Sequence, residues 1–217
     1  MTIYVDPNDV KGKLDYPLFY KESFLLFAVM VAGKSSETIK KKTNELIADL
    51  IGKDKPESLF SYIIENYGKN DFEKLLEMLK KHKTGKYSLL LNFFRDLKST
   101  KMDLMNCSLK ELESLRGVGK KSSRFFMVYN RADIEDCAIL DTHILKFLRA
   151  NGYEAPEQTP SKPKLYEELE SAFLELASKV KPKMTIPDLD FLLWYSAKTE
   201  KKTARVSDKG ELIFFQE

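Results

Sequence analysis

The sequence is poor in the residues that bind metals or cross-link secreted proteins. Among 217 residues there are two cysteines, two histidines and one tryptophan. Cys107 and Cys137 do not form a Cys-x-x-Cys pair, which excludes a structural zinc site and a four-cysteine iron–sulfur cluster. Isolated cysteines of this kind are typical of small, reduced packing residues in a cytosolic protein. We therefore expect no metal bound through cysteine.

The sequence also lacks a long apolar run. The longest one, residues 24–33, is too short to span a bilayer, and the N-terminus has no basic segment followed by an apolar one. These absences predict a soluble, intracellular protein, either cytoplasmic or associated with the nucleoid, that has no membrane partner.

Charge of one sign is not in large excess either. The 36 basic and 33 acidic residues give a formal net charge of +3, which excludes a histone-like polycation. The positive charge is instead clustered at residues 40–42, at residues 80–86, and at Lys120, Lys121 and Arg124. Any one cluster is most simply a solvated helix face. The three basic clusters, together with the hairpin described below, favour a nucleic-acid-binding surface.

Most of the chain carries helical patterns. Apolar spacing and capping residues predict helices over residues 24–31, 36–50, 72–81, 86–97, 142–150, 166–180 and 188–197, with a further helix opening at Pro56. Asp71 is expected to cap the helix that starts at residue 72. No useful strand pattern precedes Val206, and residues 211–215 form at most a short strand. The predicted fold class is mainly α.

The most informative segment runs from Ser108 to about residue 129. Ser108 with Glu111 forms a capping box before a short helix. Gly117 and Gly119 then permit a tight turn with positive φ, and a second helix restarts at Lys120. Exposed amides and lysines at a helix start favour phosphate. The pattern is a helix-hairpin-helix; the simpler alternative is an ordinary helix-to-helix turn.

Several segments together resemble a known family. Leu115-Arg-Gly-Val-Gly-Lys-Lys121 is followed by Asp141-Thr-His143, and the runs at residues 161–166 and 188–195 extend the likeness. They resemble the helix-hairpin-helix DNA glycosylase superfamily, and most closely the archaeal-type 8-oxoguanine DNA glycosylase/AP lyase.

The resemblance implies one glycosylase unit over residues 1–217, made of two helical subdomains with a cleft between them. It also implies a monomer that acts on double-stranded DNA containing a damaged base. It implies no required cofactor and no iron–sulfur cluster, with a possible monovalent cation at the hairpin.

By the same resemblance, Lys121 and Asp141 are the catalytic residues. A lysine amine can capture C1′ of the sugar as a Schiff base, which permits β-elimination, while a carboxylate balances the positive charge of the sugar. The target base must leave the duplex to be reached. Simpler roles are a phosphate contact for Lys121 and a helix N-cap for Asp141. Lys120 is the rival nucleophile.

Further residues are assigned to DNA and base contacts. Gly117, Gly119, Lys120, Ser122, His143 and Lys34 are expected to bind DNA, and Gly33 and Trp194 to line the base pocket. The alternative for Trp194 is core packing, for His143 a structural hydrogen bond, and for Gly33 and Lys34 a solvated helix break.

The last part of the chain departs from the archaeal-type pattern. Residues 203–217 extend beyond the Trp194 helix, and the apolar run at residues 212–215 is expected to dock on the body of the protein. The extension either replaces a terminal base-recognition element of shorter relatives or is a structural strap or a disordered extension. For the whole chain, the alternatives are the same chemistry on another damaged or modified base and a non-catalytic DNA-binding module.

Overall fold

The helical patterns of the sequence correspond to ten α-helices in a computed structural model that describes residues 3–6, 16–131 and 136–216. The chain divides into two compact units, Met1–Phe126 and Met127–Glu217. The mainly α class and the two helical subdomains are thus confirmed. None of the helices in the described ranges is long and apolar enough to cross a membrane.

The first unit is built around a helix that is buried on all sides. Its elements are α1 (Leu18–Val31), α2 (Ser36–Ile51), α3 (Leu59–Tyr67), α4 (Glu73–Lys81), α5 (Tyr87–Thr100), α6 (Leu109–Ser114) and the start of α7 (Lys120–Asn130). A run of α1 from Phe24 to Met30 is almost fully buried, as expected of a helix that is apolar all round. The buried carboxylate of Glu22 accepts hydrogen bonds from Ser58 Oγ and Phe60 N, and so caps α3. Burial raises the pKa of Glu22 to about 7.

The second unit combines three helices with a β-hairpin. They are α8 (Thr142–Ala150), α9 (Pro163–Lys179), α10 (Ile186–Tyr195), β1 (Lys202–Val206) and β2 (Leu212–Gln216), with a π-helical turn at Ser196–Glu200. The strands are antiparallel, and Ala204 pairs with Phe214. Phe147, Tyr166 and Phe173 lie in the core of this unit.

The C-terminal extension is docked, as the sequence predicts. Ala204 of β1 is fully buried in the core of the second unit, and Phe214 packs against that core. The Asn151 side chain at the end of α8 accepts a hydrogen bond from Val206 N and donates one to Ala204 O. The first strand was not expected before Val206; its sequence is largely polar, and the partner strand pairs with it from nearby in the chain.

The prediction that Asp71 caps α4 is wrong. Asp71 has φ of 55°, lies in a single 3-10 turn (Asn70–Phe72), and its carboxylate binds the Arg95 guanidinium. The helix begins only at Glu73, without a side-chain cap. The arginine lies 24 positions along the sequence on α5, so the local pattern gave no sign of it.

Candidate active site

The helix-hairpin-helix is present, and its first helix begins as the sequence predicts. Ser108 Oγ accepts from Glu111 N, and the Glu111 carboxylate accepts from Ser108 N at 2.8 Å, which completes the capping box. Leu112, Leu115 and Val118 are buried beneath the turn. The turn closes through a hydrogen bond from Val118 N to Leu115 O before α7 begins at Lys120.

The two glycines of the hairpin have different roles. Gly117 has φ of +99°, and a Cβ there would lie 2.6 Å from Leu89 Cδ2. Gly119 is not among the residues with positive φ, which corrects the expectation that both glycines supply it. A Cβ on Gly119 would meet nothing within 4 Å. Gly117 is therefore needed for folding of the turn, whereas Gly119 leaves the surface at the start of α7 open.

A glutamate on α6 neutralises much of the charge at the hairpin. Glu113 pairs with the buried Arg124, accepts from Ser123 Oγ at 3.1 Å, and lies 3.7 Å from Lys120 Nζ. Arg124 was expected in a basic surface cluster, but it is buried and fastens α7 to α6. Glu113 carries no signal in the sequence, because an acidic residue on a short polar helix looks like an ordinary solvated position.

Lys121 differs from its neighbours in the first turn of α7. It is half-buried, and its side chain makes no hydrogen bond or ion pair with any residue that the structure describes. The amides of residues 120–122 precede the first bond of the helix, which Ser123 N donates to Gly119 O. The turn thus carries the amine of Lys121 and the backbone amides of a helix start.

Ser122 does not present its hydroxyl for a DNA contact. The side chain is buried, and Oγ donates to Ala28 O of α1 at 3.1 Å. Position three of this helix faces α1, so Ser122 stays a predicted DNA contact through its backbone only. Only the backbone amide of Ser122 belongs to the open helix start.

Asp141 lies in the second unit and is the N-cap of α8. Its Oδ1 accepts from His143 N at 2.8 Å and from Ile144 N at 3.0 Å. Both capping bonds end on one oxygen, which leaves Oδ2 outside the cap. The capping role expected as the simpler alternative is present, and it is compatible with a second role for Oδ2. His143 is half-buried in the first turn of the same helix.

Trp194 lies on α10, which packs against α8. Leu189 and Leu193 are the core residues of this helix, whereas Trp194 is only partly buried. Its ring lies 5.9 Å from that of Phe191, and Lys198 Nζ lies 4.6 Å above it. The position is therefore at the margin of the second unit, with a cation over one ring face.

Gly33 and Lys34 lie in the turn between α1 and α2. Gly33 is exposed with φ of +73°. Lys34 Nζ donates to Thr84 O, and Lys86 Nζ donates in return to Ala32 O. Lys42 Nζ donates to Lys83 O at 2.6 Å. Three ammonium groups thus connect this turn and α2 to the loop between α4 and α5.

This set, the lysine triad of Lys34, Lys42 and Lys86, carries charge without compensation. None of the three forms an ion pair with a carboxylate in the described ranges. Burial and then Lys42 lower the pKa of Lys34, and burial and then Lys34 lower that of Lys86. Amines that disfavour one another's charge form a place where an anion would be stabilised.

Comparisons with known proteins show the family to which the chain belongs. A family model described as 8-oxoguanine DNA glycosylase matches residues 11–182. The chain belongs to the 8-oxoguanine DNA glycosylase family. The match covers the hairpin, Lys121 and Asp141, and it ends before α10.

Two curated relatives of this family are 8-oxoguanine DNA glycosylase/AP lyases. The protein of Picrophilus torridus is 36% identical over 84 residues, which cover 39% of this chain and 38% of the relative. The protein of Methanocaldococcus jannaschii is 29% identical over 134 residues, which cover 57% of this chain and 62% of the relative. The aligned parts thus span less than two thirds of either relative.

Two solved structures of the family have a similar fold. The M. jannaschii 8-oxoguanine glycosylase/lyase, in complex with 15mer DNA containing 8-oxoguanine, gives a TM-score of 0.61 at 18% identity over 87% of this chain and 86% of that one. The 8-oxoguanine DNA glycosylase of Thermotoga maritima gives 0.57 at 22% identity, over 85% and 82%.

Proposed function

We propose that this protein is a bifunctional DNA glycosylase and AP lyase that removes 8-oxoguanine from double-stranded DNA. Membership of the 8-oxoguanine DNA glycosylase family supports the class of reaction. The observation that carries the assignment is the amine of Lys121 at the start of α7, which no described residue binds. The amine of the adjacent Lys120 instead faces Glu113. A module that only holds the DNA backbone needs no such pair of a lysine and a distal carboxylate.

Lys121 is the proposed nucleophile. Its neutral amine bonds to C1′ as the bond from C1′ to the base breaks, and the base leaves with that electron pair and takes up a proton. Opening of the sugar ring gives a Schiff base between Lys121 and C1′. The imine acidifies the C2′ proton, whose loss expels the 3′ phosphate and cuts the strand.

Asp141 is the proposed stabiliser of the charged sugar. Positive charge grows on C1′ as the base departs, and a carboxylate oxygen nearby lowers the energy of that state. Oδ1 is held by two amides of α8, so the carboxylate has a defined orientation. Oδ2 is the oxygen that we assign to the sugar.

DNA binding is proposed for two regions of the first unit. The amides of residues 120–122 and the open surface at Gly119 suit a phosphate group. The lysine triad suits a second phosphate, because an anion would relieve the mutual repulsion of its amines. Lys120 and His143 stay predictions as DNA contacts, as does a monovalent cation at the hairpin.

The base pocket is proposed to include Trp194 in the second unit. Its partly exposed ring offers a surface for stacking on a flipped purine. Lys198 Nζ lies over the same ring. When a base stacks on the ring, this amine would either move away or pair with an electron-rich group of the base. Gly33 remains a predicted pocket residue.

A panel of duplexes, each with one damaged base opposite each of the four normal bases, tests this proposal. We expect base release and strand cleavage on the 8-oxoguanine duplexes, and little or none on undamaged DNA. Cleavage only of another lesion would retain the chemistry and overturn the substrate. Tight binding without base release from any duplex would instead indicate a non-catalytic DNA-binding module.

A further inference from the structure

A buried segment outside the helices and strands leads directly into Asp141. Cys137, Ala138, Ile139 and Leu140 are each at most 4% exposed, and they belong to neither strand of the β-hairpin. Buried backbone groups require hydrogen-bond partners. This segment finds them in side chains of the second unit.

Side chains bond the backbone of the segment. Ala138 N donates to Glu170 Oε1 at 2.8 Å, and the Tyr166 hydroxyl donates to Ala138 O at 3.1 Å. The same hydroxyl accepts from Leu140 N at 3.1 Å, and Thr159 Oγ1 donates to Leu140 O at 2.7 Å. The Tyr166 hydroxyl therefore bridges backbone groups of two residues, Ala138 and Leu140.

The last of these bonds are made to Leu140, one residue before Asp141. Asp141 N donates to Ile139 O at 2.8 Å, and Asp141 Oδ1 accepts the two capping bonds of α8. The backbone of Asp141 is thus fixed on one side by the bonded segment and on the other by the helix. Tyr166 itself is 0% exposed in the core of the second unit, so its hydroxyl has little freedom to move.

We propose that Tyr166 is a positioning residue for base excision, which holds the carboxylate of Asp141 through the 138–140 backbone. The inference rests on the proposed function, in which Asp141 Oδ2 faces the sugar. Removal of the hydroxyl leaves Leu140 N and Ala138 O buried without that partner. A shift of the segment toward water or other partners relieves the loss, and Asp141 shifts with it.

The test compares Tyr166→Phe with the wild-type protein in single-turnover excision of 8-oxoguanine. Phenylalanine keeps the ring in the core and removes only the hydroxyl. We expect the excision rate at saturating enzyme to fall on the order of 10- to 100-fold, since misplacement of a catalytic group by about 1 Å has effects of this size. The dissociation constant for the duplex should stay unchanged, because the hydroxyl is buried away from any DNA.

Two control variants separate positioning from loss of stability. Tyr67→Phe removes a similar bond, from a tyrosine hydroxyl to Leu50 O at 2.8 Å, in the first unit. Phe173→Leu loosens the core of the second unit beside Phe147 and keeps all the side chains that bond residues 138–140. Both should retain the wild-type excision rate below their melting temperatures. An equal loss of rate in Phe173→Leu would indicate that general stability explains the effect of Tyr166→Phe.

A double-mutant cycle with Asp141→Asn supplies the decisive readout. If Tyr166 acts through Asp141, the double variant should excise at the rate of Asp141→Asn alone, within roughly twofold. Faster hydrogen exchange at the amides of His143 and Ile144 in Tyr166→Phe should report the disturbed cap without any substrate. Independent effects of the two substitutions, or wild-type exchange at both amides, would overturn the inference. A wild-type protein that excises no base would contradict the proposed function, and the exchange result would still test the cap.

Discussion

Two adjacent lysines at the start of α7 have different surroundings. Lys120 Nζ lies 3.7 Å from Glu113, whereas the Lys121 side chain makes no polar contact within the described parts of the chain. The sequence could distinguish them only through the resemblance to a family, which places the amine at the second position after the glycine. The structure adds a physical reason, because an amine held by a carboxylate is less available as a nucleophile.

Other residue assignments could not be read from sequence. Arg124 and Ser122 follow the hairpin in a run that reads as polar surface, yet both side chains are buried. Their partners, Glu113 and Ala28 O, come from other helices, so the direction of these side chains depends on packing. The capping role of Asp141 was easier to predict, because a carboxylate immediately before a helical run can cap the helix through local bonds alone.

Asp141→Asn separates the capping role of this residue from its proposed catalytic role. Asparagine also caps helices well, so unfolding free energy should change by less than about 1 kcal/mol. Excision should slow by on the order of 100-fold or more, because the neutral side chain no longer balances charge on the sugar. Melting curves and single-turnover kinetics on one preparation measure both. An excision rate near that of the wild-type protein would leave Asp141 as a cap only.

At the scale of the element, the hairpin was predictable because its signals are local. The capping box, the apolar residues at positions 112, 115 and 118, and the restart at Lys120 all lie within one short segment. Positive φ at Gly119 was not borne out, because one glycine suffices to turn the chain. The Asp71 cap failed for the opposite reason, since Arg95 on another helix binds its carboxylate.

The two glycines therefore form a matched pair of test positions. Gly119→Leu should fold normally, because the space around its Cβ position is open, but the new side chain would obstruct an approaching phosphate. We expect weaker binding of lesion-containing and undamaged duplexes by a similar factor, since backbone contacts carry no sequence information. Fluorescence anisotropy at several salt concentrations measures this.

Gly117→Ala is the control, and its defect should be in folding. The positive φ and the close approach of Leu89 should cost about 1 to 3 kcal/mol of unfolding free energy. Weakened binding by Gly119→Leu on lesion-containing DNA alone would place Gly119 in the base pocket, and contradict its role at a phosphate.

At the scale of the whole molecule, the mainly α class followed from the many helical patterns and the near absence of strand signals. Docking of the C-terminal extension followed from its apolar residues. The position of β1 did not, because Ala204 enters the core from a strand that is largely polar. The arrangement of side chains around residues 137–141 was also beyond the sequence, since it depends on how α9 packs.

Because the β1–β2 hairpin of the C-terminal extension is docked, truncation is not the best test of its role. Ending the chain after Lys202 would remove Ala204 from the core, so a large loss of stability is expected and would mask any effect of truncation on lesion selectivity. Ile213 and Phe215 lie on the exposed face of β2. Replacing both with serine should leave the melting temperature and the lesion preference unchanged if the extension is a strap.

Phe214→Ala is the matched control in the same strand, because Phe214 packs toward the core and its loss should lower the melting temperature. A changed Michaelis constant for 8-oxoguanine DNA in the doubly substituted protein, at unchanged stability, would instead assign base recognition to the exposed face of β2.

The central claim is that Lys121 captures the sugar, and covalent trapping tests it most directly. Borohydride added during the reaction with an 8-oxoguanine duplex should reduce the Schiff base and link protein to DNA, and peptide mapping should place the adduct on Lys121. Lys121→Gln should form no adduct while it still binds the duplex, and Lys120→Gln should still be trapped. An adduct mapped to Lys120, or base release by the wild-type protein without any adduct, would contradict the account.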